Sequence, residues 1–221
     1  MELARKPYYR KGSTEAIFRD LRRDAMQIRA RLEPEKIFEI RFKAFFFPFL
    51  YIAAWTAAIT WGRNPLVHYA LYFSMGLLLV VIFLNVIHDA VHHTIFRQRW
   101  LNELFVGFFD LMGANSFIWK HRHVRFHHNY PNVNGWDTDI EQSPLARVFP
   151  SGGYSRLHRY QHIYLPFMYP LYLLNWLLVR DFKDFFSRKK TVRKLIHIPP
   201  VEFVKLFLFK GLFFVYMIVL P

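Results

Sequence analysis

The sequence predicts an all-α integral membrane protein, a bundle of transmembrane helices with a histidine-rich cap on its cytoplasmic side. Hydrophobic residues make up 53% of the 221 positions, with 25 Phe and 12 Tyr, which is more apolar and aromatic than an ordinary soluble domain of this size. Three apolar runs, residues 44–61, 66–87 and 201–220, each have about the 20 residues that a helix needs to cross a bilayer. The formal net charge is +14, and its Lys and Arg stand in blocks beside those runs, where they act as topology signals and contacts for anionic lipid. No nucleic-acid recognition motif accompanies the charge, so nucleic acid is not an expected partner.

Residues 1–43 form a polar, basic arm without a cleavable signal pattern, in which Arg19, Arg22, Arg23, Arg29 and Arg31 alternate with Asp20, Asp24, Glu33 and Glu35. Phe18, Leu21, Ala25, Ile28 and Leu32 recur at steps of three and four, the period of an amphipathic helix lying on a membrane surface or packed on the body. Residues 44–221 then form the membrane domain. Its first span contains Pro48 near its start, and Gly62-Arg63-Asn64-Pro65 supplies turn chemistry before the second span, which ends directly at His88. The arm and the stretch after the second span are both basic, so the positive-inside rule places both in the cytoplasm and the Trp61–Pro65 turn outside.

From Glu103 to Trp119 the chain is apolar but short and is broken by Gly107, Asp110, Gly113, Asn115 and Ser116, which predicts a re-entrant or interfacial segment. Ile163 to Val179 is nearly long enough to span. It carries Pro166, Pro170 and Asn175, however, and precedes Arg180, Lys183, Arg188, Lys189, Lys190, Arg193 and Lys194, so an interfacial helix is expected, with Val201 to Leu220 as the third crossing.

His88, His92, His93, His121, His123, His127 and His128 are seven of the 11 histidines, and six of them repeat one pattern, His-x3-His-His. On an α-helix the i, i+4 spacing sets His88 over His92 and His123 over His127, so each cluster offers imidazoles to a common point. A lone histidine is more often a packing residue, but two equal clusters point to a paired metal site. With zero cysteines, disulfides, thiolate zinc sites and iron-sulfur clusters are excluded, and imidazole-rich sites suit iron, zinc, copper or nickel.

Asn85-Val86-Ile87-His88-Asp89-Ala90-Val91-His92 resembles the first histidine box of the membrane fatty acid desaturases. Trp119 to Glu141 resembles the second, including the Asn132-x-x-Gly135-x-Asp137-x-Asp139-Ile140 tail of the linoleoyl-CoA-desaturase-like and front-end branches, and His158 to Phe167 resembles the segment that follows. The resemblance runs from about Ala16 to the end. It implies two non-haem irons ligated by histidines from three boxes on the cytoplasmic side of a four-helix membrane domain, here His88, His92, His93, His123, His127 and His128, with O2 as co-substrate and a fatty acyl chain, linked to coenzyme A or to lipid, as substrate. His93 follows His92 directly and so lies about 100° around a helix from it. His121, two residues before the second box, is expected as a neighbour.

Asn85, Asp89, Asp137 and Asp139 are candidates to accept the free ring N–H of a ligating histidine and fix its tautomer, or alternatively to cap helices and form turns. Trp119 and Trp136 can border an acyl channel or belong to an interfacial aromatic belt. His158 and His162 read as a polar surface pair. Arg97, Arg99, Arg122 and Arg125 can receive a phosphate-bearing head group, although positive-inside topology predicts the same charges.

An unactivated methylene C–H bond lies beyond side-chain acids and bases, which is why such chemistry requires a redox metal and O2. Electrons are expected from a separate ferredoxin or small cytochrome, since the arm has no His-Pro-Gly-Gly haem loop and no Gly-x-Gly-x-x-Gly fingerprint is present. In the resembled family the third box follows the fourth span. The expectation is therefore an N-terminal portion of a longer desaturase, inactive alone, in a bacterial inner membrane or the endoplasmic reticulum. A lipid hydroxylase or acetylenase of the same superfamily, or a non-catalytic membrane remnant, are the alternatives.

Overall fold

The computed structural model describes residues 6–8, 15–140 and 145–221, so residues 1–5 and 9–14 of the expected arm lie outside the described residues. The described elements are all helical. The chain divides within one helix into two compact units, residues 6–106 and 107–220.

In the first unit α1 (Glu15–Trp61) is one helix of 47 residues that runs without a break through positions 43 and 44 and through Pro48. The expected arm and first span are thus continuous. The stripe made by Phe18, Leu21, Ile28 and Leu32 is exposed along its length. α1 turns into α2 (Pro65–Ile82) where the sequence predicts: Asn64 Oδ1 accepts from the backbone N–H of Leu66 at 2.9 Å and of Val67 at 3.4 Å, and Pro65 takes the first helical position, where a missing N–H costs nothing. Residues Glu35–Trp61 and Pro65–Val91, with mean hydropathies of 1.5 and 2.4, are long and apolar enough to cross a membrane, and only 11% and 22% of their apolar windows are buried. Apolar surface left outside the protein on this scale is what a bilayer covers.

After α2 the helix widens over Phe83–Ile87, where the His88 N–H bonds the Phe83 carbonyl five residues back, and tightens again as α3 (His88–Val91). It stops at His93, whose φ of 56° is left-handed, with His93 N–H on the Ala90 carbonyl at 2.9 Å and Thr94 N–H on the Asp89 carbonyl at 3.2 Å. The loop that follows is tied to α4 (Arg99–Leu111) by Asn102. Its buried amide accepts from Phe96 N–H at 3.2 Å and donates to the Phe96 and Gln98 carbonyls at 2.7 and 3.0 Å. Asn102→Ala strands those groups away from water; a loss of about 1–3 kcal/mol is expected, read as earlier thermal unfolding in detergent and faster proteolysis at residues 93–98.

The second unit opens with the end of α4, and the break expected between Glu103 and Trp119 falls at Gly113, which has φ +78°. A Cβ there would meet Leu177 Cδ1 at 2.7 Å and Phe213 Cγ at 2.9 Å, so both the backbone angle and the close packing select glycine. Asp110 accepts from Ser116 N–H at 2.9 Å and Ser116 Oγ–H at 2.6 Å, and Asn115 caps α5 (Ser116–Lys120) by accepting from Ile118 N–H at 2.9 Å. α6 (Gln161–Asn175) continues through a wide turn, Trp176–Arg180, into α7 (Asp181–Phe186). α8 (Thr191–Leu195) and α9 (Pro200–Phe214) follow, and α9 carries Glu202, Lys205 and Lys210 within its apolar run.

The core of this unit gathers Ile118, Phe126, Trp136, Phe185, Val192, Ile196, Ile198 and Leu206. The basic stretch after Val179 is therefore anchored by its apolar residues. Trp136 is a core residue and Trp119 is buried against Phe109, at 5.1 Å between ring centroids, so neither stands in an exposed aromatic belt. Buried Lys210 donates to the Gly113 carbonyl at 2.7 Å and to Asp181 Oδ2 at 2.9 Å, which fixes α9 to the Gly113 turn and to α7.

Candidate metal centre

The second histidine cluster is carried by a wide helical turn, His121–His127, which continues α5. The His128 N–H bonds the His123 carbonyl at 3.0 Å, five residues back. That winding adds a second approach to the pairing that helical spacing sets. The α-helical pairing of His123 with His127 gives ring centroids 5.6 Å apart, whereas His123 and His128 approach to 4.5 Å, with their Nε2 atoms 3.0 Å from each other. Helical turns of this kind recur at functional sites because they re-aim side chains.

The opposite nitrogen of two of these rings is held by carboxylate. His123 Nδ1–H donates to Asp139 Oδ2 at 2.9 Å, and His127 Nδ1–H donates to Asp137, whose two oxygens both lie at 3.0 Å. A carboxylate can only accept, so Nδ1 carries the proton and Nε2 presents its lone pair. Asp137 is buried and its loop is folded around it: its oxygens also accept from Asn132 N–H at 2.8 Å and Asp139 N–H at 3.1 Å. Burial pushes the Asp139 carboxyl upward, but the hydrogen bond from His123 and the charges of Arg122 and Arg180 outweigh it and hold the group below the ordinary carboxylate range. Trp119 stacks on His123, with 5.2 Å between centroids and 10° between planes, and fixes the ring from its other side.

Arg122 is buried and is no head-group receptor, contrary to the expectation from its charge. Its guanidinium takes both oxygens of buried Asp184, at 2.8 and 3.1 Å, and donates to the Thr138 carbonyl, while Thr138 Oγ–H donates to the Arg122 carbonyl at 3.2 Å. It thereby clamps the Asp137–Asp139 loop onto the turn that bears the histidines. Arg97, Arg99 and Arg125 are exposed. His121 donates Nδ1–H to the Phe117 carbonyl at 2.9 Å and packs on that ring; burial lowers its pKa. His158 is buried, not half of a surface pair, and its Nδ1 accepts from Ser155 N–H at 3.0 Å in a cap of the short helix Arg156–Tyr160, whereas His162 is exposed.

The first cluster belongs to the other unit. His88 opens α3 and His92 caps its end, with ring centroids 4.9 Å apart, and His88 Nδ1 lies 3.7 Å from Asp89 Oδ1. Asn85 donates to the Val81 carbonyl at 3.0 Å within its own helix. His93, carried out of the helix by its left-handed backbone, places Nε2 3.6 Å from Glu103 Oε1.

The donor set fits a first-row metal. His123, His127 and Asp139 each offer a ligand atom within 4.8 Å of the others. Imidazoles whose second nitrogen is bonded to carboxylate are the usual metal ligands of this type. The Nε2 atoms of His123 and His128 lie 3.0 Å apart, so one ion could take both. Sequence reasoning missed Asp184, Arg180, Asp181 and Lys210. Their only local signal is ionisable residues inside or beside apolar stretches, which are costly unless paired.

The profile of a family described as fatty acid desaturase matches residues 64–221. Among similar proteins, an acyl-lipid (8-3)-desaturase of Physcomitrium patens is 31% identical over 77% of this chain and 36% of its own length. An sn-1 linoleoyl-lipid 6-desaturase of Arthrospira platensis is 38% identical over 42% of this chain and 25% of its own length. A protein of the same name from Synechocystis is 28% identical over 62% of this chain and 38% of its own. The chain thus spans well under half the length of these curated relatives. No solved structure matches it significantly. The matched region contains both histidine clusters and the Asp137–Asp139 loop that orients the second, and on that breadth of agreement the chain belongs to the fatty acid desaturase family.

Proposed function

We propose that these residues serve an O2-dependent diiron desaturase that introduces a double bond into a lipid-linked acyl chain. The observation that carries the reading is the second cluster, in which Asp139 and Asp137 hold His123 and His127 by Nδ1 and the Nε2 atoms of His123 and His128 face each other at 3.0 Å. The relatives named as acyl-lipid and linoleoyl-lipid desaturases support an acyl-lipid substrate over acyl-CoA.

His88, His92, His123, His127 and His128 would hold the irons, with His93 the sixth imidazole of the doubled pattern. Bound iron supplies the oxidising power, with O2, that removes two hydrogens from adjacent methylenes; two electrons from a separate ferredoxin or small cytochrome and two protons complete the reduction of O2 to two waters. The chain's own contribution is orientation. Asp137 and Asp139 keep the protons of His127 and His123 on Nδ1, and the stack of Trp119 on His123 stops the ring from rotating away. Residues 44–61, 66–87 and 201–220 would be three crossings, with a fourth expected from the family, residues 163–179 would lie at the interface, and the basic blocks favour a cytoplasmic histidine face.

The test is lipid analysis of a host expressing the native gene product. A new double bond is the expected result. A hydroxylated acyl chain would replace the reading with the hydroxylase alternative, and an unchanged lipid profile with iron-free protein would leave the non-catalytic one.

A further inference from the structure

Asp139 has two oxygens with different neighbours. Oδ2 accepts from His123 Nδ1–H at 2.9 Å, and Oδ1 faces two guanidinium groups, Arg180 Nη2 at 3.7 Å and Arg122 Nε at 3.9 Å. The two arginines are not equivalent. The charge of Arg122 is already matched by its two bonds to Asp184, at 2.8 and 3.1 Å, and its buried Nε has no hydrogen-bond partner among the described residues. Arg180 meets Asp139 within ion-pair distance and also lies in the field of Asp184.

Arg180 is also held for that task. It closes the wide turn Trp176–Arg180, its guanidinium lies over the Trp176 ring at 4.4 Å from the centroid, and it donates to the Tyr172 hydroxyl and to the Thr138 carbonyl, the latter at 3.5 Å. An arginine stacked on an aromatic face gains by cation–π attraction and loses little further freedom in presenting its fork.

We infer that Arg180 is a positioning residue for the metal centre: it pins Asp139 through Oδ1 so that Oδ2 stays on His123 Nδ1, and so it acts on His123 from an element 41 positions beyond the loop it contacts. Without it, Asp139 keeps its charge but loses the nearer of the two guanidinium groups that fix its rotamer, and His123 is aimed less firmly through Nδ1. The inference rests on the diiron reading proposed above.

The experiment measures iron retention against a chelator in the detergent-purified native gene product, for wild type, Arg180→Gln, Arg180→Lys, Asp139→Asn and the double variant Arg180→Gln/Asp139→Asn. Loss of a partner that orients a metal ligand typically costs 10–100-fold in metal affinity, and about tenfold is expected for Arg180→Gln. Lysine keeps the charge beside Asp139 and is expected to stay within about threefold of wild type. The double variant is expected to lose no more iron than Asp139→Asn alone, because Arg180 acts through Asp139.

Arg180→Gln at wild-type retention overturns the inference, as does a further tenfold loss on the Asp139→Asn background, which would mark Arg180 as a general packing residue. If the glutamine variant misfolds, Arg180→Met takes its place: a tenfold loss that Arg180→Lys does not show supports the inference, and wild-type retention in Arg180→Met overturns it. Wild-type protein that holds no iron brings down the diiron reading and the inference together, whereas iron-loaded wild type with unaffected variants brings down the inference alone.

Discussion

Arg122→Met is expected to destabilise the protein by about 3–5 kcal/mol, the cost of removing one partner of a buried ion pair and leaving the other charge uncompensated. The side chains of Arg122 and Asp184 are 3% and 1% exposed, so water cannot take over the role of the lost guanidinium. The Thr138 carbonyl loses the closer of its two arginine donors in the same step, which weakens the clamp on the Asp137–Asp139 loop. Thermal unfolding in detergent, followed by helix content, should show the transition several degrees lower, and the double variant Arg122→Met/Asp184→Leu should recover much of the loss, because an apolar pair leaves no buried charge behind. A single variant with an unshifted transition would mean that the pair contributes nothing to the fold.

His123→Ala is expected to have the largest effect on the centre. His123 is the member of the second cluster that meets both a carboxylate, Asp139 at 2.9 Å, and a second imidazole, His128 at 3.0 Å, while stacked on Trp119. Elemental analysis of the native gene product should give about two irons in the wild type and none above background in the variant, with desaturated product lost in parallel. Asp137→Asn should fall between them, with a 10–100-fold loss of iron affinity, since the amide can still take part in the loop but can donate to a ring nitrogen and favour the wrong tautomer. Equal iron in wild type and His123→Ala would remove the chemical basis of the desaturase reading.

The features legible in the sequence are those whose cause is local. Apolar length and the Gly62–Pro65 turn foretell the α1–α2 hairpin, because span length, a capping Asn64 and a Pro65 at the first helical position act over a few residues. The two histidine clusters and the Asp137–Asp139 tail are visible as spacing, and they carry the family resemblance that the profile match over residues 64–221 bears out. Asp137 and Asp139 were nameable as possible partners of a ring N–H, though which aspartate serves which histidine was not.

Where spacing had to be converted into geometry, the i, i+4 expectation holds for His88 with His92 and for His123 with His127, whose rings stack at 5.6 Å. The wide turn adds the closer approach of His128 to His123, and a change of one residue in the hydrogen-bond step is invisible in residue types. The clamp was equally hidden: Arg122 meets Asp184 across 62 positions and Lys210 meets Gly113 across 97. A basic residue reads the same in a sequence whether it is solvated, faces lipid head groups or is buried against a carboxylate, since only the surrounding fold sets its desolvation and its partner. The sequence by itself thus determined the helical class, the family and the spacing of the two histidine clusters, all of which follow from short-range pattern. The tertiary structure alone decided which carboxylate holds each imidazole and which arginine is a clamp rather than a surface charge, because those depend on contacts between segments that chain connectivity does not bring together.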